Sequence, residues 1–135
     1  MSKLVPPGFA ELDVKSPFNK LIGPIYGCVR DGVPIMAMRM GHQHENPYGN
    51  TTHGGMIAAL ADNALGWGLK QRHPKMGDFV TTHLSTDYLS AITTNDWVEA
   101  HVNIIKVGRR LNFVDCTMYV DGRIVAKSSG QFMVA

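Results

Sequence analysis

One stretch near the middle of the chain repeats with a helical period, and the residues beyond it alternate. From Gly54 to about Gln71, the residues Met56, Ala59, Leu60, Asn63 and Trp67 fall at i, i+3, i+4, i+7 and i+11, in a run rich in alanine and leucine. That spacing predicts one long helix, ended at His73-Pro74. Three or four long strands come next: Phe79 to Leu89, Trp97 to Val107, Leu111 to Val120 and Arg123 to Val134. Asp121-Gly122 marks a tight hairpin between the last two. In the first of them Val80, Leu84 and Tyr88 read as one face and Thr81, His83, Ser85 and Asp87 as the other.

Ahead of the long helix the pattern is shorter. Residues 8–22 read as an N-terminal helix broken near Pro17. Strands from Pro24 to Val29 and from Pro34 to Met40 flank Asp31-Gly32, a second hairpin signal. Gly41 to Thr52 is polar, holds Pro, Gly and Asn, and reads as a loop. The order is helix, two strands, one long helix, then about four strands. It predicts an α+β fold in one domain over 1–135, with an antiparallel sheet wrapped around one long central helix and 1–23 as a helical extension. Such a sheet leaves a face and edges open, through which copies of the chain can pair.

Composition excludes some classes of function. With 135 residues and 44% hydrophobic content the chain can build one real core. The formal charge of +2 comes with no Lys/Arg block, so no nucleic-acid partner is expected. No stretch approaches the roughly 20 apolar residues of a membrane span. The first residues lack the apolar core of a signal peptide, and the two cysteines, Cys28 and Cys116, have no CxxC spacing. A reduced, soluble, cytoplasmic protein is expected, with both cysteines in strands rather than acting as nucleophiles.

The chemistry concentrates in Asn46-Pro47-Tyr48-Gly49-Asn50-Thr51-Thr52-His53-Gly54-Gly55 and in Asp62, nine residues after His53. Glycines at a helix start leave backbone N–H groups free, and the helix dipole adds to them. The Gly54 N–H suits a developing oxyanion. Gly55 permits close approach of substrate, and His53 can orient a carbonyl or the loop. Asp62 lies among Ala58, Ala59, Leu65 and Gly66, where a carboxylate is poorly solvated. It could attack a carbonyl or deprotonate water. Nine helical residues rise about 13 Å and turn by half a turn. Asp62 and Gly54 of one chain therefore do not reach the same carbonyl. If both act in one site, two subunits supply them and the site lies at a dimer interface.

The His-Gly-Gly sequence followed by Asp, opening one long helix, resembles the hotdog-fold acyl-CoA thioesterases, and within them the PaaI-like branch named for phenylacetate degradation. The resemblance runs from about Pro24 to the C-terminus and extends to Asp62-Asn63 and Asp87-Tyr88. It implies hydrolysis of an acyl-CoA, aryl- or phenylacetyl-type or medium-chain, with coenzyme A as part of the substrate and no further cofactor or metal. It also implies residue roles. Gly54 N–H would form the oxyanion hole, and Asp62 of the facing subunit would be nucleophile or general base. Asn46 would position water or thioester. Thr81 would bind near the carboxylate, and His53 would support the carbonyl or the loop. Lys106, Arg109 and Arg110 would meet the phosphates of coenzyme A. Relatives pair dimers into tetramers, so a homodimer assembling into a homotetramer is implied.

Some residues depart from the pattern. The loop between Asn46 and His53 is one residue longer than in many relatives, which lets Asn50 take the Asn role instead. Gln43-His44-Glu45 is not explained by the resemblance. His42 and His44 have an HxH spacing without a compact fourth zinc ligand, and read as surface-loop histidines. His83, taken to share a strand face with Thr81, is a further candidate substrate contact. Two rival readings remain. A hotdog hydratase or dehydratase would carry a His-Phe-Pro-Gly motif that is missing here, and a non-catalytic acyl-CoA-binding protein would keep the pocket without turnover.

Overall fold

The Asp-Gly pairs turn the chain where the sequence places them. Asp31 and Gly32 have φ of 53° and 78°, and Asp121 and Gly122 have φ of 50° and 78°. Both pairs are left-handed at both positions, as the tight hairpin turn requires. The structure is a computed structural model describing residues 4–135; the first three residues of the N-terminal extension lie outside the described residues. Its elements are β1 (Ala10–Glu11), α1 (Pro17–Ile22), β2 (Tyr26–Arg30), β3 (Val33–Arg39), α2 (Gly54–Arg72), β4 (Phe79–Tyr88), β5 (Trp97–Val107), β6 (Leu111–Val120) and β7 (Arg123–Val134). The strands form one seven-stranded sheet in the order β1-β2-β3-β5-β6-β7-β4, antiparallel throughout. One sheet around one long helix is the α+β arrangement the sequence predicts.

The N-terminal helix is shorter than expected. It covers only Pro17–Ile22, because Ser16 caps it by accepting from Asn19 N–H and Pro17 fits the first turn. The residues before it are extended, and Ala10–Glu11 pair with β2.

The helix α2 lies on β3 to β7 and buries Leu60, Ala61, Ala64, Leu65 and Leu69 completely. The buried stripe also takes in Met56, Ile57 and Gly68. This stripe is rotated from the expected one: Ala59, Asn63 and Trp67 are only half-buried. They face the N-terminal segment and β2: Asn63 meets Asn19, and Trp67 packs closely on Gly27 of β2. A helix cradled by a curved sheet on one side and a strap on the other is covered over more than one amphipathic stripe.

β4 contains an irregularity that the sequence does not signal. Thr81 lies opposite Phe132, but His83 lies opposite Gln131, so Thr82 is the extra residue of a β-bulge. The bulge reverses the phase of alternation. Thr81, Leu84 and Tyr88 share the face that β7 turns toward α2 with Phe132, Gly130 and Ala126, whereas Val80, His83, Ser85 and Asp87 lie on the other face. The expected common face for Thr81 and His83 is therefore wrong, as is that for Val80 and Leu84.

Candidate active site

His53 is the N-cap of α2. Its backbone is extended, and its ring Nδ1 accepts a hydrogen bond from Gly55 N–H at 3.0 Å. The acceptor role leaves Nδ1 unprotonated, so the neutral ring carries its proton on Nε2. Gly55 N–H is thereby occupied. Gly54 N–H donates to no acceptor among the described residues, so one donor at the positive end of a 19-residue helix stays open. The next peptide unit is held at both ends: Tyr88 hydroxyl donates to the Gly54 carbonyl at 2.8 Å, and Gly55 N–H donates to the His53 ring.

The loop before His53 is held at several points. The Gln43-His44-Glu45 segment, the end and cap of a 3-10 turn at His42–His44, is structural. His44 is buried, not on the surface. Its Nδ1 accepts from Gly41 N–H at 2.9 Å and its Nε2 donates to the Ile22 carbonyl at 2.7 Å. The His44 carbonyl accepts from His53 N–H at 2.8 Å. One residue thus ties the end of α1, through its ring, to the start of α2, through its carbonyl. Glu45 accepts from Thr94 hydroxyl at 2.6 Å and pairs with His42 at 2.8 Å. The hydrogen bond from Thr94, with the His42 contact behind it, holds the Glu45 carboxyl below the usual carboxylate range.

Asn46 and Asn50 both serve this loop. Asn46 Oδ1 accepts from Tyr48 N–H at 3.0 Å, while its backbone N–H donates to Thr51. Asn50 is exposed with φ of 57°, a left-handed conformation that asparagine tolerates.

Asp62 is half-buried on α2, and the β4 bulge brings Thr81 to it: Thr81 hydroxyl donates to Asp62 Oδ1 at 2.7 Å. Asp62 Oδ2 has no protein partner among the described residues. Both residues line a cavity of about 410 Å³ together with Leu12, Gly66, Trp67 and Phe79. A different cavity, of about 320 Å³, is lined by His53, Gly55, Met56 and Phe18. Within one chain the carboxylate and the helix start therefore open onto separate spaces. Counted from Gly54, the offset to Asp62 is eight residues, not nine, which is about 12 Å along the axis and about 80° around it. The axial distance, not a half turn, keeps them apart.

The remaining candidates scatter. His83 lies on the sheet face away from Asp62. Lys106 and Arg110 are exposed. Arg109 lines a cavity of about 580 Å³ with His73 and with Arg72 and Lys75, cations that no sequence motif connects with it. Cys116 is buried, which pushes its thiol up to about 12, and burial also raises half-buried Cys28.

Comparison with known proteins decides the family. The profile of the thioesterase superfamily matches residues 49–127, over half of the chain. The chain belongs to the thioesterase superfamily. A Pseudomonas aeruginosa protein provisionally described as an esterase is 34% identical over 95% of this chain and 96% of its own length. An Asn-to-Asp mutant of the phenylacetic acid degradation protein PaaI from Thermus thermophilus superposes with a TM-score of 0.77 at 25% identity, over 89% of this chain and all of that one. A hypothetical thioesterase from Streptococcus pneumoniae, solved with coenzyme A, gives 0.71 at 25% identity over 79% and 81% of the two chains. The superfamily member is thus a hydrolase of thioesters with a PaaI-like hotdog fold. Among the described residues no helix is long and apolar enough to cross a membrane.

Proposed function

We propose that this thioesterase hydrolyses acyl-CoA thioesters in a site shared by two subunits of a homodimer. Gly54 N–H of one subunit receives the oxyanion, and Asp62 of the other is nucleophile or general base. The observation that carries this reading is the separation within one chain. An open N–H at a helix start and a carboxylate with one free oxygen are complementary pieces of acyl-transfer machinery, yet Asp62 lines one cavity while His53 and Gly55, on either side of Gly54, line another. A two-fold symmetric pair can bring each to the other's partner. The edge strand β4, which carries Thr81, is paired on one side only and offers the backbone for such a pairing.

The reaction then runs through residues of known geometry. The thioester carbonyl oxygen takes up negative charge against Gly54 N–H, while Tyr88 and the His53 cap hold the adjoining Gly54–Gly55 peptide unit in place. Asp62 either removes a proton from attacking water or attacks the carbonyl itself, giving an anhydride that water then opens. The coenzyme A thiol leaves. Thr81 fixes the Asp62 carboxylate. Asn46 or Asn50 orients water or thioester from the loop. Arg109, with Lys106 and Arg110 on the same hairpin, meets the coenzyme A phosphates, and Arg72 and Lys75 reinforce it. Two dimers pair into a tetramer, and the protein acts in the cytoplasm. The coenzyme A bound to the Streptococcus pneumoniae protein supports this choice of thiol.

Thiol release over acyl-CoAs from acetyl to palmitoyl, with phenylacetyl and benzoyl esters, tests the reading. Turnover that falls by about 10²- to 10⁴-fold in Asp62→Ala supports it. Equal turnover in variant and wild type removes Asp62 from the mechanism.

A further inference from the structure

The cavity that holds Asp62 and Thr81 extends well beyond the carboxylate, and the N-terminal segment walls it. Leu12, Asp13 and Val14 line it together with Gly66, Trp67 and Phe79. Three contacts hold this segment, one of them directly to α2. Leu12 N–H donates to the Ile25 carbonyl at 2.8 Å. Asn19 and Asn63 exchange side-chain amide hydrogen bonds of 3.0 and 2.9 Å. His44 holds the Ile22 carbonyl. Gly66 keeps the space open: a Cβ there would lie 3.4 Å from Phe79 Cε1 and 3.7 Å from Phe132 Cε1. A larger side chain at this position would occupy the cavity.

The lining is mostly apolar, and its ionisable groups are both carboxylates, Asp13 and Asp62. Among the described residues it holds no Lys, Arg or His. At about 410 Å³ it falls within the size range of small-molecule sites.

We infer that this cavity is the acyl subsite, that it selects uncharged apolar acyl groups over those ending in a carboxylate, and that Leu12, Asp13 and Gly66 set its limits. The inference rests on the acyl-CoA reading above. A carboxylate carried into this space would lose water with no cation to replace it. Asp13 adds like-charge repulsion, weakened by its exposure to solvent. An alkyl or aryl group meets Leu12, Val14, Trp67 and Phe79 instead.

Two six-carbon esters separate these cases: hexanoyl-CoA and adipoyl-CoA, which differ only by the terminal carboxylate. Binding is read by calorimetry on Asp62→Asn, so that no turnover intervenes. Hexanoyl-CoA is expected to bind at least about tenfold tighter. Adding Asp13→Lys should narrow that gap several-fold. Adding Gly66→Val should weaken hexanoyl-CoA and spare acetyl-CoA; Gly66→Ala, accommodated at ordinary contact distance, provides a smaller step in the same direction. Equal affinity for the two esters overturns the inference. So does an unchanged profile in Asp13→Lys and both Gly66 variants when their melting curves show folded protein. Selective binding without any hydrolysis by the intact protein keeps the subsite and sinks the thioesterase reading on coenzyme A esters. Hydrolysis with a flat acyl profile does the reverse.

Discussion

A single hydroxyl sets the position of Asp62. Thr81 donates to one carboxylate oxygen and leaves the other free, so in the proposed mechanism the orientation of the free oxygen depends on a neutral donor that does not neutralise the charge. A hydrogen bond to a charged group contributes about 1.5–3 kcal/mol, and Thr81→Val should lower kcat by roughly tenfold to a hundredfold with little change in KM. Steady-state kinetics on one acyl-CoA checks this. Gly54 can be tested without harming the helix. Proline fits the first helical position, and the extended backbone of His53 (ψ of 134°) suits the residue before a proline. Gly54→Pro deletes the donor N–H and should cost about 10²- to 10³-fold in kcat, with normal helicity by circular dichroism. The cysteines give a simpler test. Burial raises both thiols, that of Cys116 to about 12, so native protein should react slowly with a thiol reagent at neutral pH, and Cys116 should react only on unfolding.

At the scale of elements, the long helix packs too closely for even one methyl group at Gly68. A Cβ there would sit 2.6 Å from Val102 Cγ1 and 2.9 Å from Val102 Cβ. Alanine gains about 1 kcal/mol in helix propensity over glycine, but overpacking costs about 1–3 kcal/mol. Gly68→Ala should thus lower the urea midpoint. The loop carrying His53 depends on acid. The Glu45 carboxyl titrates below its ordinary value in the folded protein, so its contribution to stability is fully present above the unfolded value of about 4.3 and is lost as pH falls through the folded value. The melting temperature of the wild type should exceed that of Glu45→Gln at neutral pH and converge on it in acid.

Some of these elements were legible in the sequence and others were not. The bounds of β5, β6 and β7 follow from long alternation closed by Asp121-Gly122, since turn and pattern agree. The Thr82 bulge left no mark, because Thr81, Thr82 and His83 are all polar and tolerate either phase. His44 looked like a loop histidine because its partner, the Ile22 carbonyl, is a backbone atom far away in sequence. The helix start at His53-Gly54 was legible because the signal is local to one segment, whereas the strap beside Gly66 arises only from tertiary packing.

The whole molecule is half of a site, on this account. β4 is an edge strand with Val80 exposed, and the proposed dimer would pair along its unpaired backbone. Subunit complementation tests the shared site most directly. Asp62→Ala and Gly54→Pro chains are unfolded together, refolded as a mixture, and assayed for thiol release against each variant alone. A mixed dimer has one site with both wild-type residues and one with neither. Random pairing makes half of the dimers mixed, so the mixture should recover about a quarter of wild-type activity from two nearly inactive parents. A mixture no more active than its parents, while mixed dimers demonstrably form, would show that Gly54 and Asp62 do not serve one site across the interface.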